Sequence, residues 1–291
     1  MRNLSKKVVD NKAALRSIGV ALTVFGGLSM GGCGIRQTAK VGLEEPSAVP
    51  TWNRVKNAAI HAVTDPITLG SAAASAAVFA SGTDEAISEW ATTHHPVFGS
   101  KQGARDWSDW LRAGTIYSYY AGLSGEIAKE VAQNGTSGLL TTGLAGGAVG
   151  GVAAGANSYL TSKLKGGTGR LRPDGTDTRS FPSGHSSTAS VHATLASRSI
   201  GRLGLPAPLT VGLNSGLGLM AAGTAWARVE GECHYLSDVL AGAALGHFFG
   251  TFVSDLFLGV GSPARINIRL DPSKENRTVG AGVSVPLSFL N

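Results

Sequence analysis

Long stretches without charge, rich in small residues, constrain the fold of this chain most. Five stretches of the 291-residue sequence contain no Asp, Glu, Lys or Arg, and Ala, Gly, Ser and Thr dominate them. They cover residues 66–83, 113–125, 131–162, 203–227 and 239–254. Glycine, proline and charged clusters separate them, and small side chains let helices approach closely. The pattern predicts an all-α helical bundle over residues 55–262.

The same stretches raise the question of membrane insertion, since about 20 apolar residues span a bilayer. Composition argues against it, because residues 131–162 consist mainly of Gly, Ala, Ser and Thr, which gain little from contact with lipid. The segment after His185 is also too polar to face hydrocarbon. We therefore expect a compact soluble bundle, with membrane-spanning helices as the alternative. The sequence has no basic stripe with interleaved aromatic residues, so nucleic acid is not an expected partner.

The N-terminus has the anatomy of an export signal. Residues 1–32 begin with basic residues and continue into an apolar run over 18–30. The run ends in Met-Gly-Gly before Cys33, which is similar to a bacterial lipobox, although Met30 stands where leucine is usual. We predict lipidation of Cys33, a tether over residues 33–54 and a periplasmic lipoprotein anchored to the outer membrane of the bacterial cell envelope. An ordinary cleaved signal peptide with an incidental cysteine is the alternative.

The C-terminal residues 263–291 change from a helical period to a period of two. Alternate residues of the second half, from Val279 to Phe289, are apolar and share one face of a strand. The segment predicts a β-hairpin with one apolar side, and an isolated hairpin is marginally stable in water. We expect this side to pack on the bundle, with an envelope or subunit contact as the alternative.

Two histidines are candidates for chemistry. His234 and Asp238 are four residues apart and would share one face of a helix. Asp238 can accept the Nδ1–H of His234, which turns Nε2 outward and makes it a nitrogen nucleophile. His185 follows Pro182, Ser183 and Gly184 at a predicted helix start, where free backbone amides favour an anion. There, His185 would be placed to protonate a leaving oxygen.

Three cations precede or separate these histidines. Arg172 and Arg228 carry planar guanidinium groups that suit phosphate oxygens, and Lys165 adds a mobile point charge. Arg170 competes with Arg172 for this role, and we expect it at the rim of the site. For each of these groups alone, a structural hydrogen bond or a solvated charge is the simpler interpretation.

Taken together, the three segments resemble the type 2 phosphatidic acid phosphatase family, which includes bacterial class A acid phosphatases and vanadium haloperoxidases. The shared pattern is Lys-x6-Arg-Pro, then Pro-Ser-Gly-His, then Arg-x5-His-x3-Asp, over residues 165–238. The resemblance implies the helical bundle of that family, with a nucleophilic His234 that Asp238 orients and with His185 as the acid and base. It also implies phosphate binding by Lys165, Arg172, Ser183, Gly184 and Arg228. The family usually has serine where this chain has Ala227, so we expect one weakened contact.

The resemblance implies a phosphatase that acts on a phosphomonoester or pyrophosphate, with a lipid phosphate as the first choice of substrate. A soluble phosphomonoester, a vanadate-dependent haloperoxidase and a non-catalytic envelope lipoprotein are the alternatives. We expect no cofactor and no metal site. Membrane contact would come through the N-terminal lipid.

Several other residues receive structural interpretations. Glu230 and Glu232 lie in the predicted turn before His234, where they could temper the positive charge of the site or shape access to it; a solvated loop is the alternative. We expect Cys233 to have no catalytic role, and we assign His61, His192 and His247 to structure. The aromatic residues between Trp90 and Tyr120 are interpreted as core, with the lining of an acyl or aromatic pocket as the alternative.

Overall fold

The computed structural model describes residues 50–259 and the backbone of the two segments 265–270 and 279–284. The described residues contain eight helices: α1 Trp52–Thr64, α2 Pro66–Ser81, α3 Asp84–His94, α4 Lys101–Asn134, α5 Thr136–Thr168, α6 Gly184–Leu203, α7 Ala207–Glu230 and α8 Leu236–Leu258. Strands β1 Arg265–Leu270 and β2 Val279–Ser284 pair antiparallel, with Arg265 opposite Ser284 and Leu270 opposite Val279. The predicted helical bundle is confirmed.

Local sequence signals account for the ends of the helices. The carboxylate of Asp65 accepts a hydrogen bond from Ile67 N at the start of α2, and Pro66 occupies the first helical position, where its missing N–H costs nothing. Gly135, with φ of 66°, separates α4 from α5. The charge-free stretch 131–162 therefore contains a helix boundary that its composition does not reveal.

Helix α8 lies at the centre of the bundle and packs against α6, α2, α5 and α1. Its glycines allow the close approach of α6. A Cβ added at Gly242 would lie 2.5 Å from the carbonyl oxygen of Ser183, and one added at Gly246 would overlap the carbonyl oxygen of Ser187. The backbones of the two helices are therefore in direct contact along this face.

The polar segment that follows His185 forms the other side of this contact. The hydroxyl of Ser186 donates to the carbonyl oxygen of Val239 at 2.6 Å, and the hydroxyl of Ser190 donates to that of Ala243 at 2.7 Å. The serines of α6 thus face the backbone of α8 rather than water. Buried hydroxyls with acceptors carry little desolvation penalty, which explains how a polar helix occupies the core.

Two apolar clusters flank the central helix. The first joins α4, α5, α6, α7 and α8 and includes Tyr119, Leu123, Val191, Leu195 and Leu217. The second joins α3, α7 and α8 and includes Ile87, Val229, Leu236, Val239 and Leu240. The second cluster lies under the start of α8 and fixes that end of the helix.

Among the described residues, α8 is the one single helix long and apolar enough to cross a membrane. Two thirds of its most apolar stretch, 67%, is buried inside the bundle. Helices α1 and α2 pass the same test only as a pair, and they are bent by 53° relative to each other. The apolar character of α8 is therefore accounted for by its central position.

Several predictions fall at or beyond the described residues. The export signal, Cys33 and most of the predicted tether lie outside them, and so does the connection between β1 and β2. The tether was predicted to extend to residue 54, but α1 begins at Trp52. Thr51 caps that helix by accepting a hydrogen bond from Arg54 N, and this signal moves the boundary forward. The packing of a C-terminal hairpin on the bundle stays a prediction.

The interpretation of the aromatic residues of α4 as core is wrong for most of them. Tyr119 is buried, whereas Trp107, Trp110, Tyr117 and Tyr120 are all more than half exposed. The inward face of α4 carries mostly small residues such as Ala104, Ser108 and Thr115, which allow close packing. The larger aromatic rings lie on the outward face.

Substitution of Gly246 by alanine tests the close approach of α6 and α8. The added methyl group would overlap backbone atoms of α6, which cannot rotate away as a flexible side chain would. We expect Gly246→Ala to lower the free energy of unfolding by about 1–3 kcal/mol, as measured by chemical denaturation. Gly201→Ala on the exposed side of α6 has open space at its Cβ and serves as the control. Equal stability of the two variants would contradict the packing described here.

Candidate active site

The three sequence segments converge at one end of the bundle. Lys165 lies in the last turn of α5, the loop 169–183 leads to α6, and the turn 231–235 connects α7 to α8. Backbone hydrogen bonds join these pieces: Ser183 N donates to Asp238 O at 2.9 Å, and His234 N donates to Arg228 O at 3.1 Å. The predicted site residues are therefore brought together, although they span more than seventy positions of the sequence.

Arg170 is not at the rim, and the prediction that placed it there is wrong. Its Nη1 donates to Asp238 Oδ1 at 2.6 Å and to Ser237 Oγ at 2.8 Å, and its Nη2 donates to Asp84 Oδ2 at 2.8 Å. Its guanidinium also stacks 4.2 Å from the ring centroid of Tyr235. Arg170 therefore holds the carboxylates of α3 and α8 together beneath the site.

Asp84 completes this buried network. It is 4% exposed and accepts hydrogen bonds from both the backbone N–H and the hydroxyl of Ser237. Two buried carboxylates would repel each other, and Arg170 between them forms an ion pair with each, which reduces this repulsion. We call Asp84, Arg170, Ser237 and Asp238 the Arg170 network.

His234 lies in the turn before α8, not on the helix as predicted. It is 2% exposed, and its Nδ1 lies 3.7 Å from Asp238 Oδ2. This distance suits an ion pair but exceeds a hydrogen bond. The reason is that Oδ2 already accepts hydrogen bonds from Ser180 Oγ and Tyr235 N. Catalytic hydrogen bonds are often long before substrate binds.

The pKa values of this pair follow from burial and neighbouring charge. Burial lowers the pKa of His234 to about 4, with Lys165 and Arg228 acting in the same direction and Asp238 opposing them. Burial alone would raise the pKa of Asp238, but His234, Ser180 and Arg170 together bring it below its usual value. At neutral pH, His234 is therefore a neutral base beside an ionised carboxylate.

His185 lies in the first turn of α6 and has a partner that the sequence did not reveal. Its Nε2 lies 2.9 Å from Oδ1 of Asp109, a residue of α4. Because a carboxylate only accepts hydrogen bonds, Nε2 carries the proton. Burial and the charge of Arg228 lower the pKa of His185 to about 4, although the hydrogen bond to Asp109 opposes this.

The three cations occupy different environments. Lys165 Nζ donates to Arg179 O at 2.6 Å, and burial together with the nearby Arg172 lowers the pKa of Lys165 to about 8. Arg172 donates through Nε to Asp177 Oδ1 at 2.7 Å and through Nη1 to Cys233 O at 3.2 Å. The second contact ties the first motif directly to the residue before His234.

Arg228 receives its support from another helix. Its Nη1 lies 3.2 Å from Ser108 Oγ on α4, and its Nε is buried without a hydrogen-bond partner among the described residues. Ser108 thus supplies Arg228 with a hydroxyl partner, while the weakened contact expected at Ala227 stays a prediction. An anionic ligand would find an unused donor on Arg228.

Ser183 and Gly184 form the start of α6. Ser183 is fully buried, and its hydroxyl oxygen accepts a hydrogen bond from Ser186 N as the N-cap. The first amides of a helix have no partner within it, which favours an anion at this position. A Cβ added at Gly184 would lie 3.8 Å from Lys165 Cε, so this glycine directly adjoins the lysine side chain.

Glu230 is the last residue of α7 and does not lie in a solvated loop, so that alternative does not hold for it. It is fully buried and accepts hydrogen bonds from Phe98 N at 2.8 Å and from Trp226 Nε1 at 2.8 Å. It therefore anchors the loop before α4 to the end of α7. Glu232 pairs with Lys101, and Cys233 is a buried free cysteine.

Comparison with known protein families identifies the same part of the chain as the three motifs do. Residues 146–258 match the family model described as PAP2 superfamily, and this range contains all three motifs. The chain carries a PAP2 superfamily domain. The resemblance to the type 2 phosphatidic acid phosphatase family is confirmed.

The PAP2 domain also has a curated relative. The Lipid A 1-phosphatase of Porphyromonas gingivalis is 37% identical over 110 residues, which amount to 37% of this chain and 23% of that protein. The alignment therefore covers less than a quarter of the relative. No solved structure matches the chain.

Sequence reasoning missed four polar residues around the PAP2 motifs: Asp84, Asp109, Ser108 and Asp177. Asp177 lies within the loop after Arg172, and its position five residues away was a usable signal. The other three belong to α3 and α4, before the matched range, and they carry no motif.

The pKa of Lys165 gives a prediction for anion binding. Lys165 loses its positive charge as the pH rises through about 8, so phosphate should bind more weakly above that pH. We expect the inhibition constant or dissociation constant of inorganic phosphate to increase about tenfold as the pH rises through about 8, because one charge-assisted hydrogen bond is lost.

Lys165→Arg is the matched variant, because arginine stays charged throughout this range. In this variant the affinity for phosphate should no longer decrease near pH 8. Phosphate affinity that is constant through pH 8 in the wild-type protein, measured by calorimetry, would contradict a role of Lys165 in anion binding.

Proposed function

We propose that this PAP2 domain is a phosphatase that hydrolyses a phosphomonoester or pyrophosphate of a lipid through a phosphohistidine at His234. The observation that carries the proposal is the convergence of Lys165, Arg172 and Arg228 on a buried histidine with a pKa of about 4. A neutral imidazole among fixed cations suits attack on an anionic phosphorus centre.

In the first step, Nε2 of His234 attacks phosphorus, a P–N bond forms, and the bond between phosphorus and the leaving oxygen breaks. The electron pair of that bond goes to the leaving oxygen, which takes a proton from His185. The imidazolium of His234 is stabilised by the carboxylate of Asp238, whose Oδ2 lies 3.7 Å from Nδ1 of His234.

In the second step, water attacks the phosphohistidine. His185, now neutral, accepts the proton of the water, the P–N bond breaks, and inorganic phosphate leaves. The same imidazole thus acts as acid and then as base. The proposed steps use protein side chains alone.

The cations act on the phosphoryl oxygens in both steps. Charge shifts between these oxygens and the leaving group in the transition state, and fixed donors in a water-poor site stabilise that distribution. Arg172 and Arg228 are held by Asp177, Ser108 and a backbone carbonyl, so little reorganisation is needed when substrate binds.

His185 must be protonated to act as an acid, and burial lowers its pKa to about 4. Two groups favour its protonated form: Asp109, already hydrogen-bonded to the ring, and the substrate phosphate itself. We therefore propose Asp109 as a positioning residue for the general acid.

A lipid phosphate is the proposed substrate because a relative that is 37% identical over 110 residues is named for a lipid phosphatase. A soluble phosphomonoester would use the same groups. A vanadate-dependent haloperoxidase would bind vanadate in their place, and bromide oxidation with added vanadate and peroxide distinguishes that activity from hydrolysis.

We also propose the location that the N-terminal sequence predicts, which is the periplasmic side of a bacterial envelope with lipid on Cys33. A tether at a membrane would raise the local concentration of lipid substrates. The C-terminal hairpin is proposed to cover the bundle.

Substitution of each histidine tests the mechanism. We expect His234→Ala to abolish turnover, because no other group can form the covalent intermediate. His185→Ala should mainly impair substrates with poor leaving groups, such as alkyl phosphates, and should spare aryl phosphates whose leaving oxygen needs no proton. Turnover numbers for both substrate classes measure the difference.

Trapping of the intermediate provides the direct control. Labelled substrate quenched without acid should leave acid-labile label on wild-type protein and none on His234→Ala. Full activity of His234→Ala, or label on serine, would contradict the mechanism.

A further inference from the structure

The first turns of α4 contact two of the chain segments that form the candidate active site. Arg105 Nε donates to the carbonyl oxygen of Gly231 at 2.9 Å, and Arg105 Nη2 donates to Asp174 Oδ2 at 2.9 Å. Gly231 opens the turn that leads to His234, and Asp174 follows Arg172 by two positions. One guanidinium group on α4 therefore joins the segment of His234 to the segment of Arg172.

The turn before His234 has a conformation that its own sequence does not favour. Glu232 has a φ of 58°, in the left-handed region that residues other than glycine rarely adopt. Such a conformation costs free energy and persists where surrounding contacts fix it. Two of these contacts come from α4, namely the ion pair of Lys101 with Glu232 and the hydrogen bond of Arg105 to Gly231. The position of His234 therefore depends on α4.

The other end of this link is also fixed. Asp174 accepts hydrogen bonds at its second oxygen, Oδ1, from the backbone N–H and the hydroxyl of Thr176. The backbone N–H of Gly175 donates to Arg172 O at 3.0 Å. Arg172 and Asp174 therefore belong to one closed turn, so the ion pair of Asp174 with Arg105 fixes Arg172 relative to α4.

We propose that Arg105 is a positioning residue that fixes His234 relative to Arg172. The inference rests on the proposed phosphatase function. The attacking nitrogen and the guanidinium that receives phosphoryl oxygens must be aligned, and a misplacement of about 1 Å can cost about 100-fold in rate. Arg105 precedes the range 146–258 that matches the family model, so this support comes from the chain before that range.

An effect of charge alone is the alternative role of Arg105. Burial lowers the pKa of Arg228, and the charges of Arg172 and Arg105 act in the same direction, so the charge of Arg105 reaches the site. Lysine at this position would keep the charge, but it carries its donors on one nitrogen and lacks the planar fork that reaches two acceptors. Arg105→Lys therefore separates the two roles.

The ion pair of Arg202 with Glu126 provides a matched control. Its side chains are 32% and 11% exposed, compared with 35% and 10% for Arg105 and Asp174. Arg202 lies in the last turn of α6 and His185 in the first, and the rise of about 1.5 Å per residue separates them by roughly 25 Å. Loss of either ion pair should affect stability similarly, whereas only loss of the pair at Arg105 should affect the reaction.

The experiment compares Arg105→Met, Arg105→Lys and Arg202→Met with the wild-type protein. For phenyl phosphate, we expect kcat of Arg105→Met to fall about 10- to 100-fold with little change in KM, because alignment of His234 matters mainly in the transition state. The dissociation constant of orthovanadate, which resembles that state, should rise by a similar factor, and that of inorganic phosphate should change little. Arg105→Lys should show the same losses, and Arg202→Met should match the wild-type protein.

Asp174→Ala tests the same link from its other end. Arg105 then keeps its hydrogen bond to Gly231, and its 35% exposure allows solvation, so no buried charge is left without compensation. We expect a smaller loss of kcat in the same direction. The double variant should be no slower than Arg105→Met alone, because both substitutions break one connection. Urea unfolding should show similar midpoints for Arg105→Met and Arg202→Met.

Wild-type kcat in Arg105→Met or in Asp174→Ala would overturn the proposal. Full recovery in Arg105→Lys would assign the effect to charge, and an equal loss of kcat in Arg202→Met would assign it to stability, so either result would also overturn it. If the wild-type protein hydrolyses no phosphoester, the proposed phosphatase function fails, and anion binding still decides the role of Arg105. Selective loss of orthovanadate binding in Arg105→Met then supports positioning, and any other result contradicts it.

Discussion

The ion pairs of Arg170 with Asp84 and Asp238 are the interaction on which the geometry of the site depends. They join α3, the loop before α6 and the start of α8 in one buried network. The carboxylate of Asp238 is then fixed by three donors, and the backbone carbonyl of Asp238 accepts a hydrogen bond from Ser183 N at the start of α6. Arg170, which contributes no catalytic group, therefore positions the segment that carries His185 relative to the segment that carries His234. Removing one partner of such a network leaves an uncompensated buried charge, which is strongly destabilising.

Close packing of small residues supplies the frame around this network. The glycines of α8 bring its backbone against α6, and serines of α6 donate to the carbonyl oxygens exposed by that approach. The rigid pair of helices holds His185 at the start of α6 and Asp238 at the start of α8. The low charge content of the sequence is thus explained by helix contacts, in which large or charged side chains would not fit.

The sequence predicted the residues that come together at one end of the bundle, because they occur in short motifs with fixed spacing. It did not predict their supports, which lie far away along the chain. Arg170 and Asp84 are 86 positions apart, and Arg228 and Ser108 are 120 positions apart. Arg170 was expected at the rim because it does not fit the motif spacing that Arg172 satisfies. Its burial depends on a carboxylate of α3 that no local pattern connects to it.

Helix boundaries and helix surfaces were likewise predicted where the sequence signal is local and missed where it is not. Asp65 with Pro66 is a local signal for the start of α2, whereas the break at Gly135 is hidden within a stretch of uniform composition. The aromatic residues of α4 looked like core because large rings usually are buried. The rings are exposed because the opposite face of α4 is the one that packs against the bundle. That face carries small residues, which allow a closer approach than rings would.

We propose that Lys165, Arg172, Arg228 and His234 surround one site for a tetrahedral oxyanion. A crystal structure of the protein with orthovanadate tests this most directly. We expect vanadium bonded to or directly facing Nε2 of His234, with vanadate oxygens in contact with the three cations and the first amides of α6. Vanadate bound elsewhere, or no bound anion at saturating concentration, would contradict it.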